Sequence, residues 1–173
     1  MKAFCGRLGR IIDFEGSPNR GIQQSSIIEI TDFKIVQSYE YVDGDGNFND
    51  WIISITEKNP SDYWVSHNSS VEKNFLQSQM PYQRKFLKTN KPPIWGPWLD
   101  TLKIYKSLYP SLDNFKLKNL CIQFQIQDKI SSYAKYHCNK TKNQFHQSMY
   151  DCIGVFCLLD RLKGNIKLES FLN

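Results

Sequence analysis

Residues 10–16, RIIDFEG, set two acids into an apolar run: Asp13 and Glu15 alternate with Ile12 and Phe14, just behind Ile11. Alternation predicts a strand, because successive side chains of an extended chain leave on opposite faces. Asp13 and Glu15 therefore share one face, and Ile12 and Phe14 the other. Two like charges side by side in poorly hydrated surroundings repel each other and are costly to desolvate. A chain with this stretch has to bring something positive between the two carboxylates.

The strand is expected over Arg10 to Glu15, with GSPNRG (16–21) as a loop after it. SSIIEI (25–30) and FKIVQSYEYV (33–42) read as two further strands joined by a tight turn at Asp32. DGDGNFND (43–50) imitates the start of a calcium loop, but Phe48 stands where that loop needs Gly and Ser54 where it needs Glu. FNDWIISITEKN suits a short helix, DYWVS a buried strand, and SSVEKNFLQS a second helix. IWGPWLDTLKIYKSLYP reads as a strand running into a helix with Asp100 as its cap, and KLKNLCIQFQI as another helix. The last long helix is expected from about Phe145 to Lys163, stopped by Gly164. Three early strands followed by alternating helices and strands predict an α/β domain spanning 1–173. Its mixed central sheet has antiparallel first strands, then parallel ones, and is flanked by helices around one core.

Composition excludes some classes. Hydrophobic residues at 40% and aromatics at 14% argue for a folded globule. There is no run of 18 apolar residues and the start, MKAFCGRLGR, lacks an apolar secretory core, so a cytoplasmic protein without a membrane partner is expected. Five cysteines without C-x-x-C spacing fit reduced thiols better than disulfides or a zinc site. The net charge of +5 points only mildly to a polyanionic partner. YQRKFLKTNK (82–91) and YAKYHCNKTK (133–142) point further, because they mix Lys and Arg with aromatic residues able to hold phosphates and stack bases.

Further acids fall on faces that should be buried. Asp151 shares helical spacing with Val155, Leu158 and Leu162, and His146 can lean over the same pocket if it sits at the junction before the helix. Glu72 shares a face with Phe75 and Leu76, although Ser69 and Glu72 also make an S-x-x-E capping box that needs no chemistry.

In this order the motifs resemble the DEDDh (DnaQ-like) family of 3′→5′ exonucleases, which have a ribonuclease H-like fold. IIDFEG is similar to the first motif, D-x-E; SHNSSVEKNFL to the second, H-N-x-x-F-D; and FHQSMYD to the third, H-x(4)-D. WLDTLKIYKSLYPSLDNFKLKNLCIQFQI resembles the stretch between the last two, so the resemblance spans roughly residues 9–163. It implies that Asp13, Glu15, Glu72 and Asp151 ligate metal and that His146 is the general base. It also implies that Gly16, Ser17, His67 and Asn68 meet the nucleic acid. Glu72 stands where the family has Asp, and Gly16 where many members have Thr. Two Mg²⁺ or Mn²⁺ ions, about 3.5 to 4 Å apart, would activate water and stabilise the leaving 3′ oxygen. The expected substrate is the 3′ end of single-stranded DNA or RNA, and a larger nucleic-acid-processing complex is a candidate partner. The competing expectation is a nucleic-acid-binding or regulatory module of the same fold with weak or lost catalysis.

Overall fold

The computed structural model describes residues 4–17, 19–57, 59–79, 96–138 and 144–173. Its sheet has five strands in the order β3-β2-β1-β4-β5. β1 (Leu8–Ser17) lies antiparallel to β2 (Gly21–Thr31), and β2 antiparallel to β3 (Lys34–Val42). β4 (Tyr63–Ser66) is parallel to β1, and β5 (Trp98–Asp100) parallel to β4. The mixed α/β sheet of the sequence reading is therefore present.

β1 outruns the expected strand at both ends because glycines hide it. Gly9 lies under the Tyr63 ring, where a Cβ would come within 2.3 Å of Cζ. At Gly16 a Cβ would stand 2.2 Å from the Gly21 carbonyl oxygen, beside the register shift between Glu15 and Gly16. A threonine cannot occupy this position without opening the hairpin, which accounts for the departure from the family pattern. β2 and β3 are joined by Asp32 and Phe33, both left-handed at φ 52° and 57°. That mirror-image turn matches strand twist but usually calls for Asn and Gly. Here Asp32 Oδ1 accepts from the Gly6 amide at 3.0 Å, and the Phe33 ring meets Phe4 edge-on.

Each face of the sheet carries its own apolar layer, where the sequence reading expected one core. On one side Ile12, Phe14 and Ile27 pack with Trp64 and Trp98 under α1 (Phe48–Thr56) and α2 (Ser69–Gln79). On the other, Ile11, Ile28 and Ile30 meet α3 (Thr101–Leu108), α4 (Leu117–Gln123), α5 (Gln127–His137) and α6 (Ser148–Leu162). The expected helix over 116–126 ends early, since Gln125 turns left-handed at φ 54°. α5 then begins at Gln127 and ends inside the stretch 133–142, which reads only as basic and aromatic. Among its residues only Ile130 and Ala134 are buried, too sparse an apolar period to announce a helix.

α6 is the most buried helix, with twelve of its fifteen residues inside, and it lies across β1 and β2. It starts at Ser148, three residues later than expected, and Gly164 follows it at φ +79°. No helix among the described residues is long and apolar enough to cross a membrane. The stretch 82–91 and the end of 133–142 lie outside the described residues.

Candidate active site

Side-chain parity on β1 puts Ile11, Asp13 and Glu15 on the face toward α6. Asp13 stands directly across from Ser26 in the register, and the Ser26 hydroxyl lies 2.7 Å from the hydroxyl of Ser148, the first residue of α6. One turn on, the Cys152 thiol donates to the Ser26 carbonyl at 3.3 Å. These contacts fix the start of α6 against the strand pair and direct Asp151 at the carboxylates of β1. Ser26 and Ser148 are fully buried positioning residues that the motif reading missed. The available signal was Ser25-Ser26 interrupting an otherwise apolar strand.

His146 sits at the loop-to-helix junction in a left-handed conformation, φ 69°, and its backbone N–H donates to Asp151 Oδ2 at 3.1 Å. This bond lets an exposed imidazole and a buried carboxylate five residues apart face one place, which a regular helix forbids. One candidate ligand atom each from Glu15, His146 and Asp151 lies within 4.8 Å of the others.

Glu72 arrives from the opposite layer. The capping box expected with Ser69 is not made: the Ser69 amide and hydroxyl both donate to Asp100 Oδ2, at 3.0 and 3.1 Å. Asp100 Oδ1 accepts the Asn68 amide at 3.0 Å and the Leu102 amide at 3.0 Å, so one carboxylate caps α2 and α3 together. Its oxygens are fully engaged, as expected of a cap. Glu72 is left 3% exposed with Oε2 unpartnered.

Burial dominates the electrostatics. Asp13 is held well above the usual carboxylate range, first by desolvation and then by the charges of Asp151, Glu72 and Glu15. Burial pushes Glu72 up to about 8 against the pull of its own amide. Asp151 is pushed up to about 7, again by burial first, with the His146 amide opposing and Glu15 adding. Glu15 rises by burial and is drawn back by His146. Asp13 Oδ2, Glu72 Oε2 and Asp151 Oδ1 are buried oxygens without hydrogen-bond partners. Orphaned oxygens from β1, α2 and α6, coupled electrostatically, suit hard divalent cations.

The remaining sequence candidates line the same end of the sheet in different ways. Gly16 is exposed and Ser17 half-buried at the end of β1. Asn68, left-handed at φ 74°, precedes α2 and accepts from Ser70 Oγ at 2.7 Å. His67 is engaged internally at both ring nitrogens, with Thr101 Oγ1 at 2.9 Å and the Phe115 carbonyl at 2.8 Å, and burial holds it below its usual range. It ties β4 to α3 and to the loop before α4, leaving no free ring nitrogen for a nucleotide.

No family model matches the chain. Over 162 residues, 90% of its length, it is 32% identical to DNA polymerase III PolC-type of Bacillus subtilis, and it is 26% identical over 170 residues to that of Oceanobacillus iheyensis. The chain spans about a tenth of the length of these relatives, 9% and 10%. In structure it is similar to exonuclease X in complex with 5′ overhanging duplex DNA, with a TM-score of 0.61 at 19% identity, covering 95% of this chain and 97% of that one. It is also similar to Escherichia coli exonuclease I in complex with a dT13 oligonucleotide, with a TM-score of 0.57 at 14% identity, covering 91% of this chain and 41% of that one. The sequence relationship and the shared ribonuclease H-like fold bear out the resemblance to the DEDDh exonucleases.

Proposed function

We propose that this chain, homologous to a segment of PolC-type DNA polymerase III, is a metal-dependent 3′→5′ exonuclease acting on single-stranded DNA or RNA ends. The observation that carries the reading is the trio of buried, unpartnered carboxylate oxygens on Asp13, Glu72 and Asp151. Buried acids without partners are rare in folded proteins and mark sites where charge from outside the chain is expected. Glu15 completes the donor set.

When bound, a pair of Mg²⁺ or Mn²⁺ ions supplies charge neutralisation, an activated water and leaving-group stabilisation. The chain supplies the rest. Asp13, nearest the centre of the electrostatic coupling, and Glu15 present oxygens from a rigid strand, so ligand positions are set before substrate arrives. Asp151 has two tasks, one oxygen facing the cluster and the other holding the His146 amide. His146 is exposed at the mouth, where its imidazole accepts the proton of the attacking water as the P–O bond to the leaving 3′ oxygen breaks. Gly16, Ser17 and Asn68 form the rim against which the terminal nucleotide rests, and His67 braces that rim from below. Because the polymerases that match carry this segment within a much longer chain, a larger nucleic-acid-processing assembly is a fitting setting for it.

Digestion of 5′-labelled single-stranded DNA and RNA with Mg²⁺ or Mn²⁺ tests the reading. A ladder shortening from the 3′ end is expected, and none in EDTA. Retention of the oligonucleotide with no release of nucleotide by the wild-type chain would overturn catalysis and leave a binding module.

A further inference from the structure

The last turn of α5 carries a side chain that the fold does not use. The outward stripe of this helix is Gln127, Asp128, Ser131, Ser132, Lys135 and Tyr136, all exposed. Each is small or polar except Tyr136, which is 86% exposed, against 55% or less for the other exposed large hydrophobic side chains described. By contrast Tyr133, one turn earlier, packs edge-on against Phe156 and belongs to the core.

Tyr136 draws its meaning from where α5 ends. His137 Nδ1 lies 3.3 Å from Ser38 Oγ on β3. Ser38 pairs with Ile28 and Ile28 with Ile11, while the next row of the same parity is Glu40, Ser26 and Asp13. Ser38, the strand position that the end of α5 touches, is thus two strands across and two residues back from Asp13. At about 4.8 Å per strand and 3.3 Å per residue, that is roughly 12 Å.

Single strands are gripped by aromatic rings that take a base face and by cations that take the phosphates. We propose that Tyr136, with Lys135 beside it, is a stacking platform for a base of single-stranded nucleic acid upstream of the scissile bond. The proposal rests on the exonuclease reading, since it places the body of the strand whose 3′ end enters the carboxylate cluster. Anchoring at both the cluster and the exposed face of α5 holds a strand of several nucleotides more firmly than a short one. Glu40, the acid on this flank, is held by Gln24 Nε2 at 2.8 Å.

Fluorescence anisotropy of labelled dT3 and dT12 with the full chain in EDTA, where no hydrolysis occurs, reads the platform directly. Tyr136→Ala is expected to weaken dT12 about tenfold. Tyr136→Phe should bind dT12 as the parent does, and dT3 should distinguish the three proteins little. Unchanged dT12 affinity in Tyr136→Ala overturns the proposal, as does an equal loss for dT3 and dT12. Digestion of the same oligonucleotides by the wild-type chain in Mn²⁺ separates the two readings. Digestion with an unaltered Tyr136→Ala affinity removes the platform and keeps the nuclease. A lost dT12 affinity without digestion keeps the platform and removes the nuclease.

Discussion

Within three residues of β1 the chain buries charge twice and treats it in opposite ways. Facing α1, Arg10 is fully buried and meets Glu29, its partner in the register, through two N–H groups at 2.9 and 2.6 Å. The Ile55 and Asn59 carbonyls take further bonds from it, and its guanidinium lies 5.9 Å from the Trp64 ring centre. Facing α6, Asp13 shares its surroundings with Glu15, Glu72 and Asp151, and none of the four is in an ion pair with Lys or Arg among the described residues. In the first arrangement the chain supplies the counter-charge itself, with only Arg10 Nη1 left without a hydrogen-bond partner. The second is a set of acids each raised above its ordinary titration range, with no basic side chain to neutralise it, so that a proton or a cation from outside the chain has to do so. Two buried charge clusters on one strand thus separate into scaffold and site by whether the chain neutralises them itself.

The sharpest break in this comparison comes from removing one charge from each side. Asp13→Asn is expected to lower Mn²⁺-dependent nucleotide release by at least about a thousandfold while leaving the melting temperature in EDTA at or above that of the parent. A lower melting temperature would make the acids structural and erase the distinction. Arg10→Ala, by leaving Glu29 buried and alone, is expected to cost about 3–5 kcal/mol in urea unfolding. The double variant Arg10→Met with Glu29→Leu should recover most of that loss, and a cost below about 1 kcal/mol for the single change would show the pair to be incidental.

Smaller effects sharpen the acid side. Glu72→Gln is expected to weaken Mn²⁺ binding by calorimetry about ten- to a hundredfold. Ser69→Ala should leave Mn²⁺ binding unchanged, because its hydroxyl serves Asp100. If the two variants behave alike, Glu72 belongs to the helix start and not to the metal cluster. The last effect is one of pH. Asp151 and Glu72 are raised to about 7 and about 8, so the folded state keeps protons that the unfolded chain has released. Their contribution to stability is present below about pH 4 and is lost as pH rises through 7 and 8. Bound Mn²⁺ opposes that loss, so the melting-temperature gain on adding Mn²⁺ should grow by a few degrees between pH 5 and pH 8. A gain independent of pH would place the ion elsewhere.

Much of this was legible in the chain because the chemistry-bearing residues sit at points of regular alternation. Asp13 and Glu15 announce their face by parity, and Asp151 by its spacing with Val155 and Leu158. What escaped were relations between distant residues. Nothing local tells that Asp100, 31 residues away, takes the Ser69 amide and so dissolves an apparent capping box. Nor does a local pattern pair Arg10 with Glu29, or Ser26 with Ser148 across 122 residues. β1 extends past its expected ends because Gly9 and Gly16 weaken the strand signal, and each is a glycine for the sake of a neighbour that presses on it. α5 went unread since its outward face is polar and its inward face nearly empty of large residues.

The thiols carry a practical consequence. Cys121, Cys152 and Cys157 are buried, and Cys138 is partly covered and strongly resists ionisation, while Cys5 is exposed. Cys5 precedes β1, at the end of the strand remote from Glu15, and the seven residue steps from Leu8 to Glu15 span roughly 23 Å. A brief maleimide reaction near neutral pH therefore installs one fluorophore or surface tether per molecule. It lies far enough from the carboxylates for single-molecule recording of a strand as it shortens.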